Sequence, residues 1–176
     1  MSSFIPDRPE EGEFAAYYLT YIARIPAGDI RAILATQIEQ TEALLKGLPE
    51  PEAERHHGSY TWSIKDVLAH LIDAERIFGV RALCFARHDP NPLPGFDENS
   101  YAIEAHADAR PLADLLQEFA GVRQSTLHFL SGLPPSAWVR GGTANGNFVT
   151  VRALAYIIAG HEQHHIGIAR QRIGAS

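Results

Sequence analysis

Near the end of the chain lies the stretch Gly160-His161-Glu162-Gln163-His164-His165-Ile166-Gly167. His161 and His165 are four residues apart, so on a helix they share a face, ~40° apart in rotation and ~6 Å apart along the axis. Two imidazoles so placed can close on one metal ion. Leu154, Ile158 and Ile168 form an apolar stripe on the same face, which predicts that both histidines point at the core. Core-facing imidazoles need partners, because a buried polar group left unsatisfied costs a few kcal/mol.

A third histidine, His70, sits in a separate, mostly apolar stripe: Val67, Leu71, Ala74, Ile77, Phe78, Arg81, Cys84 and Phe85. His70 lies ~10 Å into its helix, while His161 and His165 lie ~10–16 Å from the end of theirs. Antiparallel helices would bring the three to one depth; parallel helices would separate them by ~6–12 Å. Three imidazoles with an open fourth position is the layout of a catalytic zinc site, and imidazole also suits nickel, iron and copper. A lone histidine on an apolar helical face is more often a satisfied core residue than a ligand; the His-x3-His pair is what moves the reading towards metal. His56, His57, His88 and His106 fall in loops or at helix ends, His128 lies opposite its helix's stripe, and His164 flanks the pair; none is predicted to be a ligand. Asp73 is ~60° round the helix from His70 and could orient an imidazole more easily than bind an ion.

The same stretch formally reads H-E-x-x-H, which in zinc peptidases supplies two ligands and a base. Position 171, where a metzincin has its third histidine, is Gln171, and no acidic residue follows Glu162. A peptidase is therefore disfavoured.

Four amphipathic segments must position these groups. Asp29 can cap a first helix over about 30–46, with Ile30, Ile33, Leu34, Ile38 and Leu45 near one side. Ser63 and Asp66 form an approximate capping box for the second, which ends near His88. Pro111 opens the third, with Leu112, Leu115, Leu116, Phe119, Leu127 and Leu130 as its stripe, and Thr150 caps the fourth, over about 151–172. Residues 49–60 read as loop, and residues 89–110 as a long irregular crossover whose Phe96 and Tyr101, with Trp62, are predicted to line a pocket beside the histidines. Asn145-Gly146 predicts a tight turn in a small hairpin. The expectation is one all-α domain over 1–176: an N-terminal arm (1–29), whose 14–25 stretch carries Tyr17, Tyr18 and Tyr21, and a bundle (30–172).

The 176 residues are 45% hydrophobic and 20% charged, which fits a globular domain. A net charge of -6 and the lack of a basic cluster argue against nucleic acid as partner. Cys84 is the only cysteine, which suits a reducing cytoplasm, and neither a signal peptide nor a spanning segment is evident, so no membrane partner is expected.

Trp62-Ser63 with Asp66, then His70-Leu71-Ile72-Asp73-Ala74-Glu75, then Pro92-Leu93-Pro94-Gly95, then Gly160 to His165, resembles the DinB-like superfamily over about 30–172. The resemblance implies an up-down-down-up four-helix bundle with helices two and four antiparallel. It implies a divalent metal, commonly zinc or nickel, on His70, His161 and His165. Relatives with known activities include S-transferases that use bacillithiol or mycothiol, and the family name reflects damage-inducible expression rather than DNA chemistry. The expected function is a metal-dependent, low-molecular-weight-thiol S-transferase acting on small electrophiles, with a homodimer as the expected assembly. The alternatives are a hydrolase using metal-activated water with Glu162 as catalytic base, and a non-catalytic metal- or ligand-binding bundle.

Overall fold

The computed structural model describes residues 4–56 and 61–174; His57 lies outside them. A 3-10 turn, Ala16–Tyr18, leads into α1 (Leu19–Ile22). Then follow α2 (Ile30–Leu45), α3 (Glu50–Ala53), α4 (Ile64–Ala86), α5 (Glu98–Glu104), α6 (Leu112–Ser131), the hairpin β1 (Gly141–Ala144) and β2 (Asn147–Thr150), and α7 (Val151–Arg172). The four long helices are those expected. Residues 49–60 and 89–110 are less irregular than expected: α3 interrupts the first, and α5, capped by Asp97, interrupts the second.

Local chemistry sets the helix starts. The Asp29 carboxylate accepts from the Arg31 N–H at 3.0 Å. At α4 the box is reciprocal: Ser63 Oγ accepts from the Asp66 N–H at 3.1 Å, and Asp66 Oδ2 accepts from the Ser63 N–H at 2.9 Å. Thr150 Oγ1 accepts from the Ala153 N–H at 3.2 Å. The hairpin turns at Asn145 (φ 50°) and Gly146 (φ 73°), both left-handed, as a two-residue turn of this hand requires.

Side-chain links fix the helix directions. Arg172 at the end of α7 donates to the Trp62 carbonyl just before α4, and His161 of α7 meets His70 of α4, so these two helices are antiparallel. The start of α6 lies by the start of α4, where Ser63 Oγ donates to Asp108 Oδ1, and Arg76 further along α4 pairs with Glu118 of α6; these two run parallel. The Leu112 N–H donates to Glu50 just past α2, whereas Arg123 donates to the Leu34 carbonyl, which makes α2 antiparallel to α6. The result is up-down-down-up.

The apolar core falls into two blocks. One contains the arm, the hairpin and residues 151–159 of α7; the other contains the first turns of α4 with Leu112, Leu115, Leu116 and Phe119 of α6 and with Ile166 and Ala169 of α7. Between them lies a polar layer: Gln37, Thr41, His70, Glu75, Arg123, His161 and Glu162, each buried. At its centre Arg123 donates to both Glu75 oxygens at 2.9 and 2.7 Å and pairs with Glu162 at 2.8 Å. Burial pushes the Glu162 carboxyl upward, with Arg123 and Thr41 pulling the other way.

The arm is pinned at several points. Arg8 donates to the Ile22 and Ile25 carbonyls, and Glu13 receives Thr150 Oγ1 and the Arg152 guanidinium at the start of α7. Gly160 lets α1 lie directly on α7, because a Cβ at this position would collide with the Tyr21 main chain. In a helix, Gly→Ala ordinarily stabilises by ~1 kcal/mol. At Gly160 the sign should reverse: Gly160→Ala is expected to destabilise by ~1–3 kcal/mol through overpacking. Gly167 lies on the same helix with nothing near its missing Cβ, so Gly167→Ala should be neutral or stabilising. Urea unfolding of the two variants checks this.

Candidate metal centre

His70 lies two turns inside α4, at a depth fixed by the Ser63 cap, and His161 and His165 occupy successive turns of α7. Antiparallel packing brings the three Nε2 atoms together: His70 to His161 at 3.0 Å and His165 to His161 at 3.1 Å. Among the described residues this group contains three imidazoles and no carboxylate. A tetrahedral ion with metal–nitrogen bonds of ~2.0–2.1 Å needs nitrogens ~3.3 Å apart. The observed spacing is close to that, and the three rings present only Nε2 to one another, an atom that in a neutral imidazole either donates or accepts but not both, so mutual hydrogen bonds cannot satisfy all three. The donor set therefore fits a divalent ion.

Aromatic side chains wall the group in. The Trp62 ring lies 4.7 Å from His70 and 6.3 Å from His165, Tyr21 stands edge-on to His161 at 5.4 Å, and Phe78 is 6.0 Å from His161. The open side faces a cavity of about 470 Å³, lined further by Tyr17, Tyr18, Arg81, Phe96, Glu98 and Asn147. That volume suits a small molecule.

The expected lining is met in part. Trp62 and Phe96 line the cavity, but Tyr101 does not; it is exposed and its ring lies 5.3 Å from that of Phe96. Asp73 makes no hydrogen bond to His70 and instead lies 3.8 Å from Arg76. His164 is half-buried and meets Tyr21 edge-on at 5.5 Å. His56, His88, His106 and His128 are exposed. His56 does group with Asp66 and Asp108, but this cluster is at the surface, with its atoms engaged by the Thr61 carbonyl and by Ser63.

Glu162 requires a correction. Expected as a base beside the metal, it does not line the cavity: Thr41 donates to its Oε1 at 2.7 Å and Arg123 pairs with its Oε2. One residue of helix is a rotation of ~100°, so with His161 facing the cavity Glu162 faces Arg123 and Thr41. The carboxylate that does line the cavity is Glu98, supplied by α5. Sequence reasoning missed Glu98, Arg81 as a cavity residue, and the tyrosine arm as a wall. The only signal for them was the arm's density of tyrosines.

Burial holds the imidazoles below the ordinary histidine value: His70 is pushed down to about 4 and His165 to about 3, while His161 lies well below, with the neighbouring rings adding to the effect for the last two. The folded chain thus binds fewer protons than the unfolded chain between ~6.5 and these values. Stability of chelator-treated protein should be full above ~6.5 and fall as pH drops from there towards the depressed values, by up to ~1.4 kcal/mol per pH unit for each histidine. Urea midpoints between about pH 7 and about pH 4.5 should show this fall, and His161→Leu should make it shallower.

Fold and site together define a helical bundle with a histidine-floored cavity whose donor set fits a metal ion. Residues 33–169 match the DinB superfamily, and the chain belongs to it. In structure it is similar to YfiT from Bacillus subtilis, described as a probable metal-dependent hydrolase with an unusual four-helix bundle topology, with a TM-score of 0.72 and 14% identity, over 97% of this chain and 95% of that one. At that identity the likeness shows the fold. No curated protein matches the chain. Among the described residues no helix is long and apolar enough to cross a membrane.

Proposed function

We propose that the protein is a metal-dependent enzyme acting on a small organic electrophile. His70, His161 and His165 hold the ion, and a low-molecular-weight thiol is the nucleophile. The observation that carries this reading is the convergence of three Nε2 atoms on the floor of a ligand-sized cavity. A divalent ion there, zinc or nickel, supplies positive charge that favours the anionic form of an entering nucleophile. The chain's residues do the rest. The depressed imidazoles are neutral at pH 7, so no proton competes for their lone pairs. Tyr21, Trp62 and Phe78 give the floor of the cavity aromatic walls against the imidazoles. Glu98 takes the proton that the thiol releases, since it is the carboxylate in the lining. A thiol of ordinary pKa ~8.5 needs little help from a base once its anion is favoured, which suits a site from which Glu162 is turned away.

Hydrolysis is the second reading, favoured by the likeness to YfiT. Water would then occupy the thiol's place and Glu98, not Glu162, would be the base.

Protein purified without an affinity tag should contain about one divalent ion per chain, as expected for one three-histidine site. His70→Ala, His161→Ala and His165→Ala should each lose it, whereas His164→Ala and His56→Ala should keep it. If all three site variants retain wild-type metal, the assignment is wrong. The cobalt-substituted protein should then develop a sulfur-to-cobalt charge-transfer band with at least one of cysteine, bacillithiol, mycothiol and glutathione. With no band at millimolar thiol, the transferase reading fails and hydrolysis replaces it.

A further inference from the structure

Three cationic side chains are buried among the described residues: Lys65, Arg81 and Arg123. Two have their charge matched twice over. Lys65 pairs with Glu50 at 2.6 Å and Glu54 at 2.8 Å, and Arg123 with Glu75 and Glu162. Arg81, 5% exposed, has no carboxylate partner among the described residues. It donates one N–H to the Pro94 carbonyl at 2.7 Å, shares the cavity wall with Tyr18, and rests 5.7 Å from the centre of the Phe78 ring. A guanidinium has five N–H donors. Holding the Pro94 carbonyl needs one donor and no charge, so an amide would do it without the cost of burying a cation.

Arg81 lines the same cavity as the histidines. Along α4, His70, Ala74, Phe78 and Arg81 form one wall, with ~16 Å of helix between the first and last. The Phe78 ring stands between the two ends, 6.0 Å from the His161 ring on one side and under Arg81 on the other. Glu98 lines the cavity too, but no ion pair joins it to Arg81, so the remaining donors stay available.

We propose that Arg81 forms a carboxylate-binding subsite, so that the cavity selects a small organic acid whose apolar body lies over Phe78 and whose other end reaches the three histidines. The carboxylate belongs either to the electrophile or to the thiol. That the bound acid is a reactant rests on the function proposed above; that it binds at Arg81 does not, because this end of the cavity needs no metal.

The test is calorimetric titration of chelator-treated, full-length protein with two pairs of probes: 3-phenylpropionate against its primary amide, and N-acetylcysteine against its methyl ester. In the wild type at least one acid should bind about tenfold or more tightly than its neutral partner, as expected for a desolvated charge-assisted contact. The pair with the larger preference identifies which reactant carries the carboxylate. Arg81→Gln, which keeps a donor for Pro94, should abolish the preference while leaving the neutral probe's affinity unchanged. Arg81→Lys should keep only part of it. Acid and neutral probe binding alike in the wild type, or a preference that survives Arg81→Gln, would overturn the proposal. Should Arg81→Gln not fold, phenylglyoxal labelling of the wild type decides. Mass mapping should find Arg81 protected by the preferred acid and not by its neutral partner; equal labelling under both overturns the subsite. Loss of metal in the histidine variants, or its retention, bears on the metal reading alone.

Discussion

One guanidinium joins all four long helices. Arg123 of α6 donates to the Leu34 carbonyl of α2, grips both oxygens of Glu75 on α4, and pairs with Glu162 of α7. Two carboxylates around one cation leave a formal charge of about −1 in the middle of the bundle, which the desolvation cost of buried ions would ordinarily forbid. Its hydrogen bonds satisfy the fork in several directions at once, while Thr41 donates to Glu162 Oε1 and Arg123 sets its charge against Oε2. Sliding or rotating any one helix would strand a buried charge, so the network specifies the packing more sharply than the apolar blocks on either side can.

That packing determines the depth at which the histidines meet. The polar layer occupies one level of the bundle, with the ion network on one side of α7 and the imidazoles on the other. His161 and Glu162 are adjacent in sequence and divide between the two. The formal H-E-x-x-H reading fails for this reason: its glutamate is engaged in holding the helix that carries the histidines. The peptidase reading loses its base as well as the third ligand already missing from the sequence.

The cavity is an assembly of parts distant in the chain. The histidines come from α4 and α7, and the aromatic walls from the arm and from Trp62 before α4. The far end is built by the crossover and hairpin, which are tied together where the Leu93 N–H donates to the Thr143 carbonyl and the Asn145 N–H to the Leu93 carbonyl. The DinB superfamily fold supplies the scaffold; the chemistry depends on which side chains these peripheral segments bring to it.

Much of this was legible in the sequence because it is local. Caps at Asp29, Ser63 and Thr150, the Asn145-Gly146 turn and the apolar periods of the four helices are decided by neighbours a few residues away, and their positions agree with the structure. The equal depth of His70, His161 and His165 followed from counting residues, given antiparallel helices. Neither the direction of the helices nor the faces that meet are local properties. Gln37, Thr41, Glu75 and Arg123 carry no signal of burial in their local sequence, yet each is buried because a partner on another helix receives it. Tyr101 and Phe96 looked equivalent, and only the course of the crossover put one inside and the other out. At ~100° of rotation per residue, adjacent side chains on a helix serve different neighbours. The sequence therefore determined which residues could do chemistry, and the helix contacts alone decided that His161 would face the cavity and Glu162 the ion network.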